Sequence, residues 1–135
     1  MTAEVDHWFS TLARQNFAYR DLIGQDKWES WTPTRMGWTD VGTPTVTGRF
    51  RVVGRQCFFQ VKVVPGTTVA TVAGTSYITM PIAIASFGGV AVMYNYSTGV
   101  AVGVCSVWDG TNPGVFVPAQ VATGNTLVIA GWYEI

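Results

Sequence analysis

From Val46 to Pro65 apolar and polar residues alternate with a period of two. Val46, Phe50 and Val52 share one face of a first run, and Thr47, Arg49 and Arg51 share the other. In a second run Cys57, Phe59, Val61 and Val63 alternate with Gln56, Gln60 and Lys62. Such alternation predicts a pair of strands, each with one face on a core. Gly54 lies between them, where a tight turn asks for a backbone conformation that β-branched residues resist. Further runs follow at short intervals over 68–72, 76–80, 90–94, 100–108, 115–117 and 126–135. Each break carries Gly, Pro or Asn, the residues that turns require. The spacing predicts a mainly β chain: an antiparallel β-sandwich, jelly-roll-like, over residues 45–135.

Two of the late runs are apolar on both faces. Val100, Val102, Val104 and Trp108 oppose Ala101, Cys105 and Val107, and Leu127, Ile129, Tyr133 and Ile135 oppose Val128, Ala130 and Trp132. An antiparallel strand with one wet face should alternate more cleanly, so the second face is expected to be covered by a helix, a loop or another subunit. A homotrimer is the expected assembly.

The pattern changes period before residue 25. Residues 1–24 are expected to hold one N-terminal α-helix, from about residue 3 to 23. Thr2 can cap it, and acids in its first turn and Arg20 in its last suit the helix dipole. Val5, Phe9, Leu12, Asn16, Tyr19 and Ile23 alternate spacings of four and three, which is a short heptad seam. An isolated helix of this length is marginal in water, so it needs a partner: its own β-domain, copies of itself, or a docking surface. Residues 25–44, with Trp28, Trp31, Pro33 and Trp38, read as a Trp- and Pro-rich linker held against a neighbouring surface.

Charge narrows the picture. The 135 residues carry no formal net charge, which gives no overall pull toward nucleic acid or anionic membrane. Beyond Lys62 only Asp109 and Glu134 are charged side chains. Thr, Ser, Asn and Gly must supply the polar surface there. This suits a protein on a particle or covered by its own copies. The opening Met1-Thr2-Ala3-Glu4-Val5-Asp6 lacks the apolar core of a secretion signal, and Cys57 and Cys105 are expected as free buried thiols. The longest apolar run, Pro81 to Tyr94, is too short and too broken for a membrane span, so no membrane insertion is expected.

Catalytic chemistry is sparse. The single histidine, His7, precedes the β-region, so no Ser-His-Asp or Cys-His set can be built within it. Asp109 and Glu134 are the acids a glycan-active enzyme would have to use, and a bare pair is a minimum rather than a signature. No ligand spacing fits zinc or calcium, and no phosphate-cradling glycine loop opens a helix. No catalytic residue, metal or cofactor is therefore expected.

Two sets of residues stand out as contact sites. Arg49, Arg51, Arg55 and Lys62 form a basic stretch with no acid between them. They are either a solvated strand face, paired with Glu29 or Asp40, or an anion site for an acidic glycan or a capsid partner. Tyr94, Asn95 and Tyr96 on one turn, and Trp108, Asp109 and Asn112 near another, combine aromatic faces with amide and carboxylate groups, as sugar rings require. The same residues also suit turn formation alone. Nucleic acid is not expected, because the aromatics are not matched by enough positive charge.

The run Trp28-x-x-Trp31-Thr32-Pro33-Thr34, followed by Val46-Thr47-Gly48-Arg49-Phe50-x-x-Val53-Gly54-Arg55, resembles a pattern in tailed-bacteriophage structural proteins. There an aromatic-Thr-Pro-Thr entry leads into a Gly-aromatic, Gly-basic hairpin and a small β-sandwich. Such domains tip tail fibres, head fibres and spikes, including those of phage-like gene transfer agents. The resemblance covers about residues 28–65. It implies a small accessory fibre, spike or decoration protein on the virion surface. The N-terminal segment would attach it to other virion structural proteins, and the β-region would contact a host surface glycan. The alternative it leaves open is a decoration or connector protein with a structural role only.

Overall fold

The computed structural model describes residues 27–85 and 88–135. The helix expected within residues 1–24, with its seam Val5, Phe9, Leu12, Asn16, Tyr19 and Ile23, lies outside them. The stretch expected as a linker supplies three short strands: β1 (Glu29–Trp31), β2 (Arg35–Met36) and β3 (Thr39–Val41). The alternating runs around Gly54 form β4 (Thr45–Val53) and β5 (Gln56–Val64). They are followed by β6 (Thr68–Thr71), β7 (Tyr77–Ile78), β8 (Gly89–Asn95), β9 (Val100–Trp108), β10 (Gly114–Phe116), β11 (Gln120–Thr123) and β12 (Leu127–Glu134).

Every pairing is antiparallel. A nine-stranded sheet runs β1-β4-β5-β12-β8-β9-β10-β7-β2, and a three-stranded sheet runs β11-β6-β3. The sheets curl into a half-barrel. The chain connectivity explains the curl. Laid flat, eight inter-strand steps of ~4.8 Å would separate β1 from β2 by roughly 38 Å. Yet only Thr32-Pro33-Thr34 joins these two edge strands, and a fully extended chain covers about 14 Å from Trp31 to Arg35. The sheet must bend until its edges come within reach.

The β4–β5 hairpin is fixed by its turn. Gly54 takes φ +59°, and the two-residue connection sets the register Val53↔Gln56, Arg51↔Phe58, Arg49↔Gln60 and Thr47↔Lys62. Trp31 closes over the same hairpin: its ring lies where a Cβ on Gly48 would sit 2.6 Å from it, so only glycine fits opposite this edge.

The concave face holds the core. Cys57, Phe59, Val61 and Val63 of β5 are fully buried with Met93 of β8 and with Leu127, Ile129 and Tyr133 of β12. The three-stranded sheet adds Val69 and Ala122 to the same cluster. Burying each large apolar side chain contributes about 1.5–3 kcal/mol before entropy is counted. The Tyr133 hydroxyl, though buried, is satisfied at both ends: it donates to Ile82 O at 2.7 Å and accepts from Ile82 N at 3.3 Å. Both cysteines are buried and free.

The convex face is unusually apolar. Arg51, Phe58, Trp132 and Val90 stand in one cross-strand row over β4, β5, β12 and β8. Ser106, Phe116, Tyr77 and Met36 form another over β9, β10, β7 and β2. Gln60, Ala130, Val92 and Val104 form a third. No described residue covers Val90, Val92 and Val104, which are 54%, 42% and 74% exposed.

Candidate functional site

Antiparallel pairing carries alternate residues of β4 and β5 to the convex face, and there the basic residues meet the tyrosines. β12 lies between β5 and β8, so Lys62, Val128 and Tyr94 occupy one row. Val128 is buried as a floor, and Lys62 and Tyr94 rise on either side, two strand spacings or about 10 Å apart. The groove so formed has a volume of about 390 Å³. Ser30, Thr47, Arg49 and Gln60 line its β1–β4–β5 side, and Tyr96 its far end.

Each cation is held by a specific neighbour. Arg49 donates from Nε and Nη2 to Gln60 Oε1 at 2.9 and 2.6 Å, and its guanidinium lies 4.6 Å from the Trp28 ring centroid. Arg51 sits between two rings, 5.4 Å from Trp28 and 5.6 Å from Phe58. Its buried Nε finds no acceptor among the described residues. The Lys62 ammonium lies 5.5 Å from the Tyr96 centroid. Cation–π contacts of this kind are worth about 0.5–1 kcal/mol at exposed sites, and they orient the charges without neutralising them.

Asp40, one of the acids expected to pair with the basic stretch, is engaged elsewhere. Arg35 grips both of its oxygens at 2.7 Å, and this hydrogen-bonded pair lowers the Asp40 carboxyl below its ordinary range. Arg55 is also apart from the groove. It sits in the hairpin turn, where its carbonyl accepts from Ile135 N, and seven residues of β-strand, about 23 Å, separate it from Lys62.

The six residues proposed for sugar contact divide. Tyr94 and Tyr96 belong to the groove. Asn95 points the other way: it is buried, and its Oδ1 accepts from Thr98 N at 3.1 Å, which holds the turn into β9. Trp108 stands at the opposite end of β9, seven residues or about 23 Å from the Ala101 that pairs with Tyr94. It borders a second, more apolar hollow of about 550 Å³ with Gly74, Val104, Phe116 and Pro118. Asp109 and Asn112 are exposed in the loop that follows. One small sugar therefore cannot touch all six.

Gln60, Thr47, Trp28 and Phe58 complete the groove and its rim, although none was a sequence candidate. Three of them had a signal: a two-residue turn at Gly54-Arg55 pairs Gln60 with Arg49, Phe58 with Arg51 and Thr47 with Lys62. Among the described residues no cluster of His, Cys, Asp and Glu could hold a metal ion. The site can therefore stack rings, donate hydrogen bonds and attract anions. Compared with known protein families, with curated proteins and with solved structures, the chain matches none.

Proposed function

We propose that this chain is a virion surface protein of the fibre or spike type that binds host cell-surface polysaccharide and performs no catalysis. The observation that supports this most is the groove, where Tyr94 and Tyr96 offer aromatic faces beside the donors Arg49 and Lys62. A sugar has an apolar ring face and a hydroxylated rim, and this arrangement offers a surface for each. In this reading the two antiparallel sheets are the layers of a jelly-roll-like sandwich. The N-terminal segment attaches to other virion structural proteins. Three copies meet at the β9 side of the convex face, around Val104, which is not among the residues that line the groove, so that three shallow grooves stay open and act together. Linked sites raise avidity by about 10²–10⁴ without new contacts.

The test is retention of the purified protein on host cells and on polysaccharide extracted from them. Saturable retention supports the reading, and a protein that binds neither ends it. The uncovered Val90, Val92 and Val104 also favour a second reading, a decoration or connector protein clamped to capsid or tail subunits. Deleting the gene separates the two. Intact particles that fail to adsorb point to the glycan reading, and fragile particles point to the clamp.

A further inference from the structure

Resting on that glycan reading, we infer that the groove selects a carboxylate-bearing sugar, a uronate or its chemical equivalent, over neutral sugars. The groove concentrates cations without acids. Arg49 and Lys62 line it, Arg51 flanks it on the same face, and no carboxylate is among its lining residues. Of the two acids expected to neutralise them, Asp40 is held by Arg35 through both oxygens, and Glu29 of β1 is in register with Phe50, on the face opposite to that of Arg49 and Arg51.

The cations are also arranged for use. Gln60 takes Nε and Nη2 of Arg49, which fixes the plane of the guanidinium and leaves Nη1 without an acceptor among the described residues. The Arg49 and Arg51 guanidinium groups share the Trp28 indole, so two like charges are held on one ring with no anion between them. An anion bound there relieves their repulsion. Lys62, on Tyr96, carries an ammonium whose described contact is a ring face. A sugar ring seated in the groove beside Tyr94 and Tyr96 can turn a carboxylate toward Lys62 and Arg49, which line the same groove. Both bonds would be charge-assisted, and such bonds are about twice as strong as neutral ones.

The experiment is a binding array of bacterial-surface polysaccharides in which every acidic member is printed beside its carboxyl-reduced, neutral form. The wild-type protein should bind at least one acidic polymer about tenfold more tightly than its reduced partner, the loss expected for one charge-assisted bond. That preference should shrink as salt rises and screens the exposed charges. Lys62→Gln should bring binding of the acidic polymer down toward that of the reduced form, with an unchanged far-ultraviolet circular dichroism spectrum. Equal binding of acidic and reduced forms overturns the charge inference and leaves the glycan reading standing. Retention of no polymer on the array overturns both.

Discussion

Lys62 and Tyr96 come from different strand pairs, yet the ammonium lies 5.5 Å from the ring centroid. The contact exists because β12, the last strand of the chain, is inserted between β5 and β8. Neither residue is needed to bury the core, since both are exposed. Replacing Tyr96 with Ala should therefore leave the melting temperature within about a degree or two, as surface changes away from caps and networks usually do. It should weaken glycan binding by roughly fivefold or more, the worth of one stacked aromatic face. Parallel thermal and binding measurements on the one variant check both parts.

The convex valine face predicts an assembly. Val104 opposes Val92 across β8 and β9 and is 74% exposed. Val104→Glu places a charge on this face without disturbing the concave core. The wild-type chain should run as a trimer in light scattering coupled to size exclusion, and the variant as a monomer of similar secondary structure. A wild-type monomer would remove the proposed assembly.

Tyr133 makes a different prediction, because its hydroxyl is a buried link and not a surface contact. Tyr133→Phe keeps the ring beside Phe59 and removes both bonds to Ile82, leaving the Ile82 amide and carbonyl with a lost partner. The cost should be about 1–3 kcal/mol. It should appear as a lower urea midpoint at unchanged slope. A midpoint equal to wild type would mean that water replaces the hydroxyl without loss.

Alkaline pH should destabilise the fold. Burial pushes the Cys105 thiol up to about 12 and raises Cys57 and the Tyr133 phenol above their ordinary values. The unfolded chain releases these protons first, so above about pH 8.5 it binds fewer protons than the folded state and stability falls as pH rises. Stability from Cys105 is intact below the unfolded thiol value and is lost progressively as pH climbs toward about 12. Chemical denaturation between pH 7 and 10.5 should show the decline, and Cys105→Ala should make it shallower. A stability that is flat across this range would contradict the burial of these groups.

The hairpin was legible in the sequence because everything it needs is local. Period-two alternation gives the faces, and Gly54 gives the turn, so Arg49 and Lys62 are already on one surface before any tertiary contact forms. The short strands β1, β2, β3 and β11 were not legible. With two to four residues each they carry too little alternation, and they are strands because neighbours already placed in the two sheets supply their hydrogen-bond partners. The groove lay between these cases. Both halves were recognisable as candidates, but their meeting depends on the order of strands in the sheet, which no local pattern encodes. Asn95 and Trp108 show the converse: proximity in sequence to Tyr94, or a shared aromatic character, did not bring them to the same place.

The most direct test is a titration of isotopically labelled protein with the polysaccharide it retains, followed residue by residue in amide resonance spectra. The largest shifts should fall on Arg49, Gln60, Lys62, Tyr94 and Tyr96, with little change at Trp108, Phe116 and Val117. Shifts confined to the Trp108 hollow, or a spectrum that does not move, would contradict the assignment of the groove as the glycan site.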